Sequence, residues 1–148
     1  MKIIPEVNVL VIKNSFLDKL VEFTKKTHPI ESCALFIGKI DNKIATVDEI
    51  VYVENVNHSQ VTFSIDPEFL YQVYMKAEKQ NKELTGIFHS HPARSAPSSI
   101  DEQYMIYNPV IWLILGVLDK SNIRKEDMRA YQYINDSIKK VEIVILED

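Results

Sequence analysis

Apolar and polar positions divide the chain into short strands and helices. Val7 to Ile12 is β-branched and reads as a first strand. Phe16, Leu17, Leu20, Val21 and Phe23 then recur at helical spacing, with Asn14 or Ser15 as the expected N-cap. That helix should reach Lys26, where terminal lysines suit its dipole, and His28-Pro29 should stop it. Cys33 to Ile37 is a short apolar run that reads as a buried strand. Lys43 to Val56 is long and β-branched, which predicts one strand with room for a bulge. Val61 to Ile65 reads as a further short strand.

Asp66-Pro67-Glu68 spells a helix start: a cap, a proline in the first turn, then an acid. Phe69, Leu70, Val73, Tyr74 and Ala77 supply that helix with an apolar face. Thr85 to His91 reads as a strand and Pro92 to Pro97 as a loop. Ser98 or Ser99 should cap a short helix carrying Tyr104, Met105 and Tyr107. Val110 to Leu118 is apolar on both alternating faces, as in a central strand. Asp119 to Asp127 is polar and reads as an exposed loop. Met128 to Ile134 and Ile138 to Leu146 flank the turn Asn135-Asp136-Ser137 and predict a closing hairpin. The expected order is β-α-β-β-α-β-α-β-β-β, with no repeat and no linker, so residues 1–148 form one expected domain.

Composition narrows the class. Of 148 residues, 46% are hydrophobic, which suffices for a core of ordinary size. A net charge of -4 argues against a general nucleic-acid binder, which would carry a basic excess. Cys33 is the one cysteine, so no intramolecular disulfide forms. It reads as a small buried hydrophobe, because nothing nearby activates it as a nucleophile. The longest apolar run, Pro109 to Leu118, is far short of a membrane span, and the N-terminus lacks a signal-peptide pattern. The expectation is a soluble cytoplasmic protein with neither nucleic-acid nor membrane partners.

The chemistry gathers in GIFHSHPARSAPSSIDEQY, residues 86–104. His89 and His91 stand two apart on a predicted strand, so their side chains share a face. Two adjacent imidazoles make poor core, since each needs a hydrogen-bond partner and they repel when protonated. They suit one divalent ion instead, and imidazole favours zinc. A third ligand must come from nearby, and Asp101 is the candidate. Ser98-x-x-Asp101 also reads as a capping box, which would fix Asp101 at a helix entrance facing the histidines. His58, in a turn-like stretch, and His28, before a proline, read as ordinary solvent-facing residues.

These residues resemble the JAMM (MPN+) metallo-isopeptidase motif: His89-Ser90-His91-Pro92, then Ser98-x-x-Asp101. His28 to Leu35 is similar to the family's upstream element, a glutamate shortly before a cysteine at a strand start. The resemblance covers most of the chain and implies a curved mixed β-sheet flanked by helices, of the cytidine-deaminase-like kind. It implies His89, His91 and Asp101 as ligands of one zinc ion, Glu31 as general base and acid, and Ser98 as hydrogen-bond donor to the oxyanion. It further implies hydrolysis of the amide joining a ubiquitin-like modifier's C-terminus to a lysine or peptide. Such an extended tail could add a strand to a sheet edge, with Asn57 to Ser64 as the candidate edge. The alternative is a non-catalytic scaffold of the same fold. The compact length suggests a stand-alone prokaryotic type.

Two positions depart from the family pattern. Ala34 stands where a glycine usually follows the cysteine. Six residues, Pro92 to Pro97, separate His91 from Ser98 where seven are usual. A strict count of seven would select Ser99 and Glu102. Ser98 and Asp101 are preferred because they keep the serine directly after a proline and keep aspartate as the ligand.

Overall fold

The computed structural model describes residues 5–54 and 65–148. Strand β1 (Val9–Lys13) runs directly into helix α1 (Asn14–Thr27). Four strands follow: β2 (Cys33–Gly38), β3 (Ile40–Asp41), β4 (Ile44–Thr46) and β5 (Glu49–Val53). Helix α2 (Pro67–Lys79) leads to β6 (Glu83–His91), α3 (Ser99–Tyr107) and β7 (Ile111–Gly116). A 3-10 turn (Lys125–Asp127) precedes the hairpin of β8 (Met128–Ile134) and β9 (Ser137–Leu146). Among the described residues, all nine strands join one sheet, ordered β3-β4-β1-β9-β8-β7-β6-β2-β5. It is mixed: β1 lies parallel to β4 and β9, and β6 parallel to β7, while the other pairs are antiparallel. The α/β class and the mixed sheet flanked by helices match the expectation.

Two apolar layers form on the two sheet faces. Leu17, Leu20 and Val21 of α1 cover Leu10, Ala34, Phe36, Phe88, Leu113 and Leu115. Ala77 of α2 and Met105 of α3 cover Leu35, Ile37, Ile87, Trp112 and Ile114. Strands β2 and β7 are buried at every position, which is why they read as unbroken apolar runs. Phe69, Leu70 and Val73 pack against this second layer as expected, whereas Tyr74 is exposed. Among the described residues, no helix is long and apolar enough to cross a membrane.

The single strand expected over Lys43 to Val56 is corrected to two. Strand β4 pairs with β1 and β3, whereas β5 pairs with β2 at the opposite end of the strand order. The sheet curls so far that these ends meet: Asp48 N–H donates to Ile37 O (2.7 Å) and Thr85 Oγ1 donates to Thr46 O (3.0 Å). Gly38 permits the closure, since a Cβ there would stand 2.0 Å from Thr46 O. The chain changes partners at Val47-Asp48 without a glycine or proline to mark it.

Other boundaries also shift. The first strand begins at Val9 rather than Val7, whose N–H leaves the ladder for Gln132 Oε1 (2.8 Å). Asn14 and Ser15 are not N-caps but the first residues of α1. The Ser15 N–H donates to the Asp148 carboxylate (3.1 Å), so the helix start is satisfied by the far end of the chain. The strand expected to Leu118 ends at Gly116. Asp66 does cap α2, accepting from Glu68 N–H (3.1 Å), with Pro67 in the first turn. Val61 to Ser64, the edge proposed over Asn57 to Ser64, and His58 lie outside the described residues.

Candidate metal centre and active site

Strand β6 carries the histidines into the site. Its register with β2 sets Cys33 opposite His89, and its register with β7 sets Ile114 beside His89 and Gly116 beside His91. The two imidazoles share one face with ring centroids 5.8 Å apart, as their spacing required. His89 is fully buried, with the Trp112 ring edge-on to it at 5.9 Å.

Helix α3 presents Asp101. Ser98 is the N-cap, and both halves of the capping box form: Asp101 N–H donates to Ser98 Oγ (3.1 Å), and Ser98 N–H donates to Asp101 Oδ2 (2.8 Å). The box turns the buried carboxylate toward the histidines. Asp101 Oδ1 lies 3.4 Å from His89 Nε2, and Oδ2 lies 3.9 Å from His91 Nε2. Glu102, one position further round the helix, is exposed. Capping engages the Ser98 oxygen as an acceptor and leaves its proton to donate elsewhere.

Glu31 enters from the start of β2. An isolated loop glutamate is ordinarily solvated, but this one is 2% exposed. Its Oε1 lies 3.0 Å from His89 Nδ1, and Ser90 O lies 3.0 Å from the same nitrogen. His91 Nδ1 similarly faces Arg94 O at 3.2 Å. A carbonyl only accepts, so these contacts place a proton on each Nδ1 and turn each Nε2 toward Asp101.

The charges agree with that geometry. Burial alone would lower the His89 pKa, but Asp101 and Glu31, through hydrogen bonding and charge, outweigh it and raise the imidazole to about 9. Burial would likewise raise the Asp101 pKa, yet His89, the Ser98 N–H and His91 hold the carboxyl below its usual range. Burial, with the Glu31 charge second, pushes the Cys33 thiol far up, so it stays protonated and inert as expected.

The donor chemistry fits a divalent cation. Two imidazole nitrogens and a carboxylate face one another, with Nδ1–H groups held by backbone carbonyls, the support that ligating histidines usually have. Zinc bond lengths near 2.0–2.1 Å put two tetrahedral ligands about 3.3–3.4 Å apart. The His89–Asp101 separation of 3.4 Å matches that edge, and the His91–Asp101 separation of 3.9 Å is somewhat wider. Among the described residues, no three such side chains are drawn into a closed metal-binding set. The convergence is pairwise, through Asp101.

The loop bearing Pro92 to Pro97 is clamped to the sheet. Val117 N–H donates to His91 O (2.7 Å), Gly116 N–H to Ser95 Oγ (2.7 Å), and Tyr131 OH to Ser95 O (2.6 Å). Gly116 is required by close approach: a Cβ there would stand 2.5 Å from Ala93 O and 2.6 Å from Ser95 N. Gly116→Ala is therefore expected to lose about 1–3 kcal/mol of stability in urea unfolding, because backbone rather than a flexible side chain must move.

The structure thus brings Glu31, His89, His91, Ser98 and Asp101 together and leaves Glu102 exposed on α3. Sequence reasoning missed Trp112 and the buried hydroxyls of Thr24, Ser32 and Ser90 behind the site. Ser32 and Ser90 did carry a signal, as polar residues set into apolar or histidine-bearing strands.

Comparisons with known proteins converge on one family. The family described as prokaryotic homologs of the JAB domain (Prok-JAB) matches residues 13–133. A desampylase of Pyrococcus furiosus is 34% identical over 110 residues, covering 74% of this chain and 75% of that protein. A CysO-cysteine peptidase of Mycobacterium tuberculosis is 20% identical over 142 residues, covering 95% of this chain and 94% of the relative. Among solved structures, protein DSY2949 from Desulfitobacterium hafniense superposes with a TM-score of 0.79 at 23% identity, covering 94% of each chain. A protein from Salinibacter ruber superposes at 0.67 with 18% identity, over 91% of this chain and 90% of the other. The family match spans well over half of the sequence and includes every residue of the candidate site, so the chain belongs to the prokaryotic JAB-domain family, of JAMM/JAB type.

Proposed function

We propose that this protein is a zinc-dependent isopeptidase that hydrolyses the amide between a ubiquitin-like modifier's C-terminus and a lysine or peptide amine. The observation that carries this reading is the convergence of His89, His91 and Asp101 beside the buried carboxylate of Glu31. The names of the two relatives, a desampylase and a CysO-cysteine peptidase, support hydrolysis as the reaction class.

His89, His91 and Asp101 would hold the ion. Zinc bound by such a set supplies a Lewis acid and a water acidified to a pKa of roughly 7. Glu31 takes the proton from the attacking water and later delivers it to the leaving amine. Its burial shields the carboxylate from competing solvent. Ser98, held at the entrance of α3, donates its hydroxyl proton to the oxygen that gains charge in the transition state. A donor of this kind is typically worth about 3 kcal/mol. Asp101 is fixed by the same capping box, so one helix start positions both a metal ligand and an oxyanion donor.

The test is cleavage of a ubiquitin-like modifier joined through its C-terminal glycine to a lysine side chain, followed by mass spectrometry of the products. The expected result is free modifier and intact lysine target, with cleavage abolished by a chelator and restored by zinc. A second arm offers the same modifier joined to free cysteine, which separates a peptide target from a small-amine target. Cleavage of neither conjugate by zinc-loaded protein would overturn the proposal.

A further inference from the structure

Behind the proposed ligands, on the α1 face of the sheet, three buried hydroxyls stand in a row. Thr24 Oγ1 lies 3.2 Å from Ser32 Oγ, which lies 2.9 Å from Ser90 Oγ. Ser90 sits between the two histidines, and Ser32 follows Glu31. Alternation along the strands turns Ser32 and Ser90 to the face opposite the histidines, where α1 carries Thr24.

The backbone around Ser90 shows what its hydroxyl does. Ser32 and Ser90 stand opposite each other, one step beyond the Cys33–His89 pair of the antiparallel ladder. A hydrogen-bonded antiparallel pair exchanges two N–H···O=C bonds. One is made: Ser90 N–H donates to Ser32 O (3.1 Å). The reciprocal bond is replaced, because Ser32 N–H donates to Ser90 Oγ (2.8 Å). The Ser90 carbonyl faces His89 Nδ1 at 3.0 Å instead.

We infer that Ser90 is a positioning residue whose hydroxyl takes over its own carbonyl's ladder bond, releasing that carbonyl to accept the His89 Nδ1–H and aim Nε2 at Asp101. A carbonyl cannot donate, so this contact selects the imidazole with its proton on Nδ1. Glu31 Oε1 shares the same Nδ1 at 3.0 Å. The carbonyl is the acceptor that stays when Glu31 turns to proton transfer, so His89 keeps its orientation through the reaction. That last step rests on the proposed roles of Glu31 and of the zinc ligands. The hydroxyl-for-carbonyl exchange itself does not.

Two readouts test it. The first is zinc affinity, measured by competition with a chromophoric chelator. The second is the His89 Nδ1–H signal in nuclear magnetic resonance spectra of the metal-free protein. In Ser90→Ala the carbonyl is drawn back to Ser32 N–H, and zinc binding is expected to weaken about 10–100-fold, as for other losses of support behind a ligating histidine. The Nδ1–H signal should shift or exchange away. Ser90→Thr keeps the hydroxyl and should restore both. Thr24→Val removes a hydroxyl from the same row but not the exchange, and should move neither. Unchanged zinc affinity and an unchanged Nδ1–H signal in Ser90→Ala would overturn the inference, as would equal losses in Thr24→Val. Should Ser90→Ala fail to fold, Glu31→Ala decides: a His89 Nδ1–H still protected there, where the Ser90 carbonyl accepts and the Glu31 carboxylate is gone, supports the inference, and its loss overturns it. A wild-type protein that binds no zinc but shows that protected signal would sink the proposed function and leave the positioning role standing.

Discussion

Glu31→Gln is expected to give a folded protein that retains zinc yet hydrolyses a modifier–lysine conjugate about 10²–10⁴-fold more slowly. The substitution preserves volume at a buried position, and the amide oxygen can still accept from His89 Nδ1–H. What disappears is the ability to take a proton. Because that transfer belongs to the transition state, kcat should fall while KM stays nearly constant. Steady-state kinetics with zinc analysis of the same sample checks both halves. Persistent activity with bound zinc would move the general base to another residue.

The second large effect is expected at Asp101. Asp101→Asn keeps an oxygen that can accept from Ser98 N–H, so the capping box and the fold should survive. The anionic donor between His89 and His91 is lost, and zinc affinity should drop by at least about 100-fold, beyond what loss of an outer support costs. Hydrolysis at limiting zinc should fall in parallel. Glu102→Gln should leave zinc affinity at the wild-type value, because Glu102 is exposed on the neighbouring face of α3. A chelator titration of both variants distinguishes the two carboxylates, and the reverse pattern would make Glu102 the ligand.

What could be read in the sequence was local. His89 and His91 needed only strand periodicity to share a face, and Asp101 needed only the capping pattern begun by Ser98. Each signal spans a few residues whose geometry follows from one secondary-structure element. The turn expected at Asn135-Asp136-Ser137 is a third case, one residue shorter than expected: Asn135 and Asp136 adopt positive φ, at 52° and 62°, and Ser137 already begins β9.

The rest depended on contacts between distant segments. Glu31 was legible through the family resemblance alone, since its burial comes from β2 lying beside β6 and not from its neighbours in sequence. The division of β4 from β5 follows from the curl of the whole sheet. No local residue in Lys43 to Val56 records that two ends of the strand order meet at Thr46 and Asp48. The start of α1 is satisfied by Asp148, 133 residues away, so a search for a neighbouring cap settles on Asn14 or Ser15. The bond from Ser32 N–H to Ser90 Oγ is likewise visible only once the strand register is known.

Anomalous X-ray scattering at the zinc edge, from crystals of the zinc-loaded protein, addresses the metal centre directly. The expected result is one strong peak per chain within bonding distance of His89 Nε2, His91 Nε2 and the Asp101 carboxylate. No peak at saturating zinc, or a peak away from these three side chains, would contradict the account.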